Sequence, residues 1–203
     1  ADLPVFRSAR RAILAGPAVR LRREVEAAGT PVVGELADRP VGAATLLSAI
    51  RVRQWVKNLL VFVPLVTGHV FEPSVLAAAA VAFVAMGLLA SAVYLVNDAA
   101  DLAADRAHPT KRKRPLASGA LSLRAGLALV PLLLAGSAAA AAALPPGARV
   151  LLAAYLATTT LYTLVLKRKV LVDVFALAFL YTLRVLLGGA ATAVPVSPWL
   201  LAF

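Results

Sequence analysis

From Val75 to Val96 no residue carries a charge, and this run is one of several that follow one another along the chain. A helix needs about 20 apolar residues to cross roughly 30 Å of hydrocarbon. Leu121 to Leu144 meets that length with one charge, Arg124, near its start. Val150 to Leu166 contains no charge, and Val174 to Val194 contains only Arg184. A shorter run, Asn58 to Val70, extends back through Thr45 to Ile50 into a first helix whose start carries Arg51, Arg53 and Lys57, and a sixth run opens at Trp199. With 61% hydrophobic residues, the chain exceeds the apolar share of about 45–50% that a soluble domain uses. The expected fold class is therefore all-α, a multispanning transmembrane helical bundle of about five to six helices.

The connectors alternate in charge. Gly68 to Ser74, Pro145 to Gly147 and Pro195 to Pro198 contain no Lys or Arg, whereas Asp98 to Leu116 contains five and Lys167 to Lys169 three. By the bias of basic loops toward the cytoplasm, the N-terminus, the Asp98 loop and the Lys167 loop share the cytoplasmic face. The expected location is an integral cell (inner) membrane. The net charge of +11 is thus read as membrane rims rather than as a nucleic-acid surface, and no nucleic-acid partner is expected. Trp55 and Trp199 fall where interfacial aromatic belts sit, and Met86 falls in the core. The chain has no cysteine and two histidines, which excludes disulfides, thiolate nucleophiles and Cys- or His-rich metal centres.

Residues 1–40 differ from the rest. They are polar and Arg-rich, carry Glu24, Glu26, Glu35 and Asp38, and are punctuated by Gly16-Pro17, Gly29-Thr30-Pro31 and Arg39-Pro40. They form a short non-membrane segment, distinct from a membrane domain over 41–203. Arg20 to Ala28 is expected as an amphipathic helix with Leu21 and Val25 on one face, too little to make a core alone.

Chemistry concentrates after the second span. The order is Asn97-Asp98, then Asp101, then Asp105-Arg106, then His108-Pro109-Thr110-Lys111-Arg112-Lys113-Arg114-Pro115. On one continuous helix Asp98 and Asp105 fall within about 20° of each other and Asp101 about 60° away, so three carboxylates share a face. Such a face needs cations among its charges. Oxygen donors without His or Cys suit Mg2+, which bridges carboxylates to substrate phosphates. Asp98, Asp101 and Asp105 are the expected metal ligands and catalytic acids, supported by Asn97. Arg106, Lys111, Arg112 and Arg114, with Lys57, are expected to bind phosphate. This pattern fits a diphosphate-containing donor and a lipid partner, with the cations neutralising a leaving diphosphate. His108 orients the loop or contacts phosphate. Arg184 lies deep in its helix, where a charge is costly, and is expected to face a polar cavity or a carboxylate.

The run from 97 to 119 resembles the first aspartate-rich motif of the UbiA superfamily of intramembrane prenyltransferases, Asn-Asp-x-x-Asp-x-x-x-Asp-Arg. The continuation through Ala117-Ser118-Gly119, and Arg51-x-Arg53-Gln54-Trp55-Val56-Lys57-Asn58, resemble its decaprenyl-phosphate phosphoribosyltransferase branch. The resemblance spans about residues 45–203. It implies a UbiA-like bundle incomplete at its C-terminus, Mg2+ as cofactor, phosphoribosyl pyrophosphate as donor and a polyprenyl phosphate as acceptor. It also implies substrate roles for Tyr162 and a catalytic role for Lys167, with Asp173, Tyr181 and Arg184 recurring on the fifth span. Asp173 reads equally as a helix cap. A second chemistry shares the scheme: a polyprenyl diphosphate whose allylic carbon is taken by an aromatic or other small acceptor. A non-catalytic transporter or lipid-binding protein is the alternative outside enzymes.

The head of the chain, Ala1-Asp2-Leu3-Pro4, Arg10 to Pro17, Leu21-Arg22-Arg23 and Gly29-Thr30-Pro31, resembles the last strand and helix of a haloacid-dehalogenase-like phosphatase. The resemblance implies a phosphatase–UbiA fusion fragment, with Asp2 as the last acid of a metal motif.

Overall fold

The computed structural model describes residues 3–15, 19–36, 41–164 and 170–201. They fall into two compact units, Ala1–Val41 and Gly42–Phe203.

The first unit starts with a short helix, α1 (Leu3–Arg7), followed by β1 (Ala12–Ala15), α2 (Val19–Ala27) and β2 (Val32–Leu36). The two strands pair in parallel, Ala12 opposite Val32 and Leu14 opposite Glu35. The expected amphipathic helix is present, but the expectation that this segment makes no core is corrected. Ala12, Leu14 and Val25 are buried together, with Phe6, Leu21 and Val32 packed against them. A parallel crossover lets one small helix face cover a two-stranded sheet. Thr30 Oγ1 donates to the Phe6 carbonyl at 2.6 Å and fastens α1 to the turn before β2.

The second unit is helical throughout its described residues. After α3 (Ala43–Ala49) come a 3₁₀ stretch (Val52–Phe62) and α4 (Val63–Gly68). The long helix α5 (Pro73–Ala100) leads into α6 (Leu102–Ala107) and a 3₁₀ turn (Lys111–Lys113). Then follow α7 (Leu123–Ala142), α8 (Pro146–Leu164), α9 (Val170–Thr192) and α10 (Pro198–Leu201). Pro73–Ala100, Leu123–Ala142 and Val174–Thr192 are long and apolar enough to cross a membrane, so the protein is an integral membrane protein. Pro73 at the start of α5 supplies a helix-ready φ where an N–H has no partner anyway. Ser122 caps α7, its Oγ accepting from the Ala125 N–H at 3.2 Å.

The expected single first helix is not formed. Arg51 has φ 53 and ψ 45, a left-handed conformation that ends α3 and starts the 3₁₀ stretch. With three residues per turn the stretch keeps straight rows. Trp55, Asn58 and Val61 face inward, whereas Arg53, Val56 and Leu59 are exposed. One buried hydroxyl pins the break. Ser91 Oγ on α5 accepts from Trp55 Nε1 at 3.0 Å and lies 2.6 Å from the Ile50 carbonyl and 2.8 Å from the Gly87 carbonyl, its single proton serving these two acceptors. Trp55 is therefore not a rim residue but packs on α5, edge-on to Phe83, over the bare backbone of Gly87.

The main core joins the 3₁₀ stretch, α5, α8 and α9 through Val61, Met86, Leu89, Leu152, Leu183 and Leu187. The approach of α9 is set by Gly188: a Cβ there would stand 2.0 Å from the Val61 carbonyl oxygen. A smaller cluster of Ala49, Leu95, Leu116 and Leu121 fixes the loop after α6 against the end of α5.

Candidate functional site

The last turn of α5 carries Asn97 and Asp98. The chain leaves the α-helical conformation at Asp101 (φ −93, ψ 12) and resumes in α6, which carries Asp105 and Arg106. The Asp105 N–H donates to the Asp101 carbonyl at 2.8 Å, so the break is a single residue. His108 turns the chain toward the basic run: its Nδ1 accepts from the backbone N–H of Thr110 at 3.2 Å and of Lys111 at 3.4 Å. The loop-orienting role expected of His108 is thus present in the geometry.

The extended residue that follows, Arg114, reaches back to α5 and α6. Its Nη1 donates to Asp98 Oδ1 at 3.1 Å and to Asp105 Oδ2 at 2.6 Å. The side chains of Asp98 and Asp105 are 6% and 2% exposed. From the opposite side Arg51 Nη2 donates to Asp98 Oδ1, with its guanidinium 4.8 Å above the Tyr94 ring. Two buried acids and two arginines thus form one hydrogen-bonded cluster. Such a cluster holds only while its charges are matched, because removing one partner leaves a buried charge uncompensated.

Asp101 does not join this cluster. Among the described residues no three acidic or imidazole groups gather closely enough to hold a metal ion, so the shared face expected of the three aspartates is replaced by a pair bridged through Arg114. The physical reason is the break at Asp101, which ends the continuous helix assumed by the spacing argument. The donor set still fits Mg2+ by its chemistry. It offers hard carboxylate oxygens beside cationic groups, and Mg2+ takes one or two carboxylates together with substrate phosphates.

Asp98 and Arg114 line a pocket shared with Arg51, Arg53, Gln54 and Lys113. The neighbouring residue Asn97 lines a different, interior cavity, together with Lys57, Tyr155, Tyr162, Tyr181 and Arg184. Arg184 is 5% exposed. Its Nε donates to Asn58 Oδ1 at 3.0 Å, its Nη1 to the Leu180 carbonyl at 2.6 Å and its Nη2 to Tyr155 Oη at 3.0 Å. Its guanidinium also lies 5.0 Å from the Tyr155 ring and 5.3 Å from the Tyr181 ring. The expected polar cavity is there, without a carboxylate partner among the described residues.

Of the other expected site residues, Arg106, Lys111 and Arg112 are exposed on the loop, with Arg106 Nε donating to the Ala117 carbonyl at 3.4 Å. Lys167 and the side chain of Asp173 lie outside the described residues. Three contributors were not singled out from sequence: Arg51, Asn58 and Tyr155. Two of them belong to the run Arg51 to Asn58, in which Arg51 meets Asp98, Trp55 meets Ser91, Lys57 lines the cavity and Asn58 meets Arg184. That density of polar residues at the start of an apolar run was the available signal. Tyr155 is one aromatic in an apolar helix, and nothing in the sequence marks it.

The sequence profile of the UbiA prenyltransferase family matches residues 59–203. An uncharacterized protein, y4nM of Sinorhizobium fredii, is 37% identical over 204 residues, covering 100% of this chain and 40% of that protein. A decaprenyl-phosphate phosphoribosyltransferase of Mycobacterium tuberculosis is 40% identical over 163 residues, covering 78% of this chain and 54% of the enzyme. The chain thus spans about half or less of the length of these relatives. In three dimensions the bundle resembles a UbiA homolog from Archaeoglobus fulgidus bound to DMAPP and Mg2+, with a TM-score of 0.65 and 20% identity over 78% of this chain and 58% of the other.

Proposed function

Because the chain belongs to the UbiA prenyltransferase family, we propose that it is part of an intramembrane, Mg2+-dependent transferase that moves phosphoribose from phosphoribosyl pyrophosphate to a polyprenyl phosphate such as decaprenyl phosphate. The observation that carries this reading is the buried Asp98–Arg114–Asp105 bridge at the end of an apolar helix. Acids and guanidinium groups packed together there are what a diphosphate leaving group and its counter-cation require. The 40% identity to a protein named for this reaction supports the choice of donor.

In this reading the C1–O bond between ribose and diphosphate breaks, and diphosphate leaves with the electron pair. A phosphate oxygen of the lipid then forms the new bond to C1. Asp98, Asp101 and Asp105, with Asn97, would hold Mg2+, which when bound neutralises charge on the leaving diphosphate. Arg106, Lys111, Arg112 and Arg114 bind the donor phosphates, and Arg51 keeps Asp98 in place. Tyr162, Lys167 and Asp173 act beside the substrates. The loop from 98 to 116 faces the cytoplasm, where a soluble donor is available, while the acceptor stays in the bilayer. The N-terminal unit is the end of a phosphatase-like domain joined to the membrane part, and the match to y4nM extends through it.

Prenyl transfer from a polyprenyl diphosphate is the second reading, favoured by the likeness to a homolog bound to DMAPP. The test is transfer by the purified protein in detergent with Mg2+. It is offered labelled phosphoribosyl pyrophosphate with decaprenyl phosphate, and separately decaprenyl diphosphate with 4-hydroxybenzoate. Label passing from phosphoribosyl pyrophosphate into the lipid phase is the expected result. Transfer to the aromatic acid alone would replace this reading with the second.

A further inference from the structure

Arg184 is a full positive charge inside a membrane bundle, and every partner it has among the described residues is neutral. Lys57 lines the same cavity and makes no ion pair among the described residues, and no acidic side chain described there lines it. Asn58, itself buried, has used its Oδ1 on Arg184 and leaves its Nδ2 without a partner. Two cations, an unmet amide donor beside them and several tyrosines therefore surround a space that lacks its anion. An intramembrane charge in this situation calls for a partner in its own cavity.

The cavity does not end in polar groups. Val93, Asn97 and Thr163 line both it and a second, largely apolar groove between α5, α7 and α8. That groove is walled by Ala92, Val96, Val130, Leu134 and Leu156. A cationic chamber opening into an apolar groove matches a ligand with an anionic head and a hydrocarbon tail.

We propose that the two form one site for a lipid phosphate monoester, Arg184 and Lys57 taking its phosphate and the groove its first isoprene units. A dianionic head balances the two cations, whereas a metal-bound diphosphate needs carboxylates, which stand apart on the Asp98 side of the helix end. Asn97 and Asp98 are consecutive, so this site and the arginine-lined pocket open at adjacent residues of α5. The inference rests on the phosphoribosyl-transfer reading only for the identity of the acceptor. Arg184 is the residue that makes the cavity select a charged lipid head over a neutral one.

The test is equilibrium binding of farnesyl phosphate and of farnesol to the purified protein in detergent without any donor, so that it reads the site and not the reaction. The protein should prefer the phosphate by about tenfold or more, the range of a charge-assisted, fork-shaped contact. Arg184→Gln should remove that preference, Arg184→Lys should keep most of it, and Lys57→Gln should weaken it. Leu134→Trp, which narrows the groove, should keep the preference for phosphate but lose the gain in affinity from geranyl to farnesyl phosphate. Equal affinity for alcohol and phosphate in the unaltered protein, or an undiminished preference in folded Arg184→Gln, overturns the proposal. If Arg184→Gln does not fold, an unchanged preference in Lys57→Gln overturns it instead. Selective binding combined with failed phosphoribosyl transfer would overturn the proposed function and leave this site standing.

Discussion

Arg114 donates to Asp105 at 2.6 Å from the same Nη1 that reaches Asp98 at 3.1 Å. One nitrogen therefore ties the end of α5 to α6 across the break at Asp101. Replacing Arg114 with Met keeps the apolar stem and removes the charge, leaving two buried acids against the single guanidinium of Arg51. The expected loss is about 3–5 kcal/mol of stability, read as a lower unfolding temperature in detergent, and transfer activity should vanish with it. Arg114→Lys keeps the charge but not the fork, and should fall between the two.

Asp101 stands outside that cluster, so Asp101→Asn should leave folding nearly unchanged while weakening Mg2+-dependent binding of diphosphate. Titration calorimetry with inorganic pyrophosphate, with and without Mg2+, reads the difference. An unchanged Mg2+-dependent affinity would remove Asp101 from the metal set.

Gly188 meets the backbone of Val61, and a methyl group there has no flexible neighbour to displace. Gly188→Ala should force α9 away from the 3₁₀ stretch and cost about 1–3 kcal/mol. Gly147→Ala is the control, because its nearest neighbour, Ala190 Cβ, is 3.9 Å away. Thermal unfolding of the two variants side by side gives the comparison, and equal midpoints would contradict the packing argument.

Ser91→Ala removes the hydroxyl that serves Trp55 and the Ile50 carbonyl at once. Leaving buried polar groups unpaired costs about 1–3 kcal/mol each, and the Trp55 ring loses its anchor. A red-shifted, broadened tryptophan emission together with lower stability is the expected outcome. An unshifted spectrum would mean that Gly87 and Phe83 alone hold the ring.

How much of this was readable beforehand depends on the kind of signal. The apolar runs located α5, α7, α8 and α9 to within a few residues, because lipid length leaves little freedom. The first span was misjudged. Hydropathy does not register a left-handed residue such as Arg51 or a tighter winding after it. Strands β1 and β2 are too short to display alternation, and their parallel pairing depends on residues far apart in sequence. Arg184 announced itself as a charge within an apolar run, but Asn58 and Tyr155 became visible only once the helices were packed. The aspartate spacing correctly drew attention to the loop. The projection onto one helix failed at Asp101, where a single changed pair of torsion angles redirects everything after it.

The winding of Val52–Phe62 sets distances as well as directions. A 3₁₀ helix rises about 2.0 Å per residue and an α-helix 1.5 Å. Rewound as an α-helix, this 11-residue stretch would shorten by about 5 Å, and Val61 would swing about 120° relative to Trp55. The segment therefore works as a gauge. Its pitch holds Arg51 level with Asp98 at one end and Asn58 level with Arg184 further along, and any change of pitch would pull both pairs out of step together.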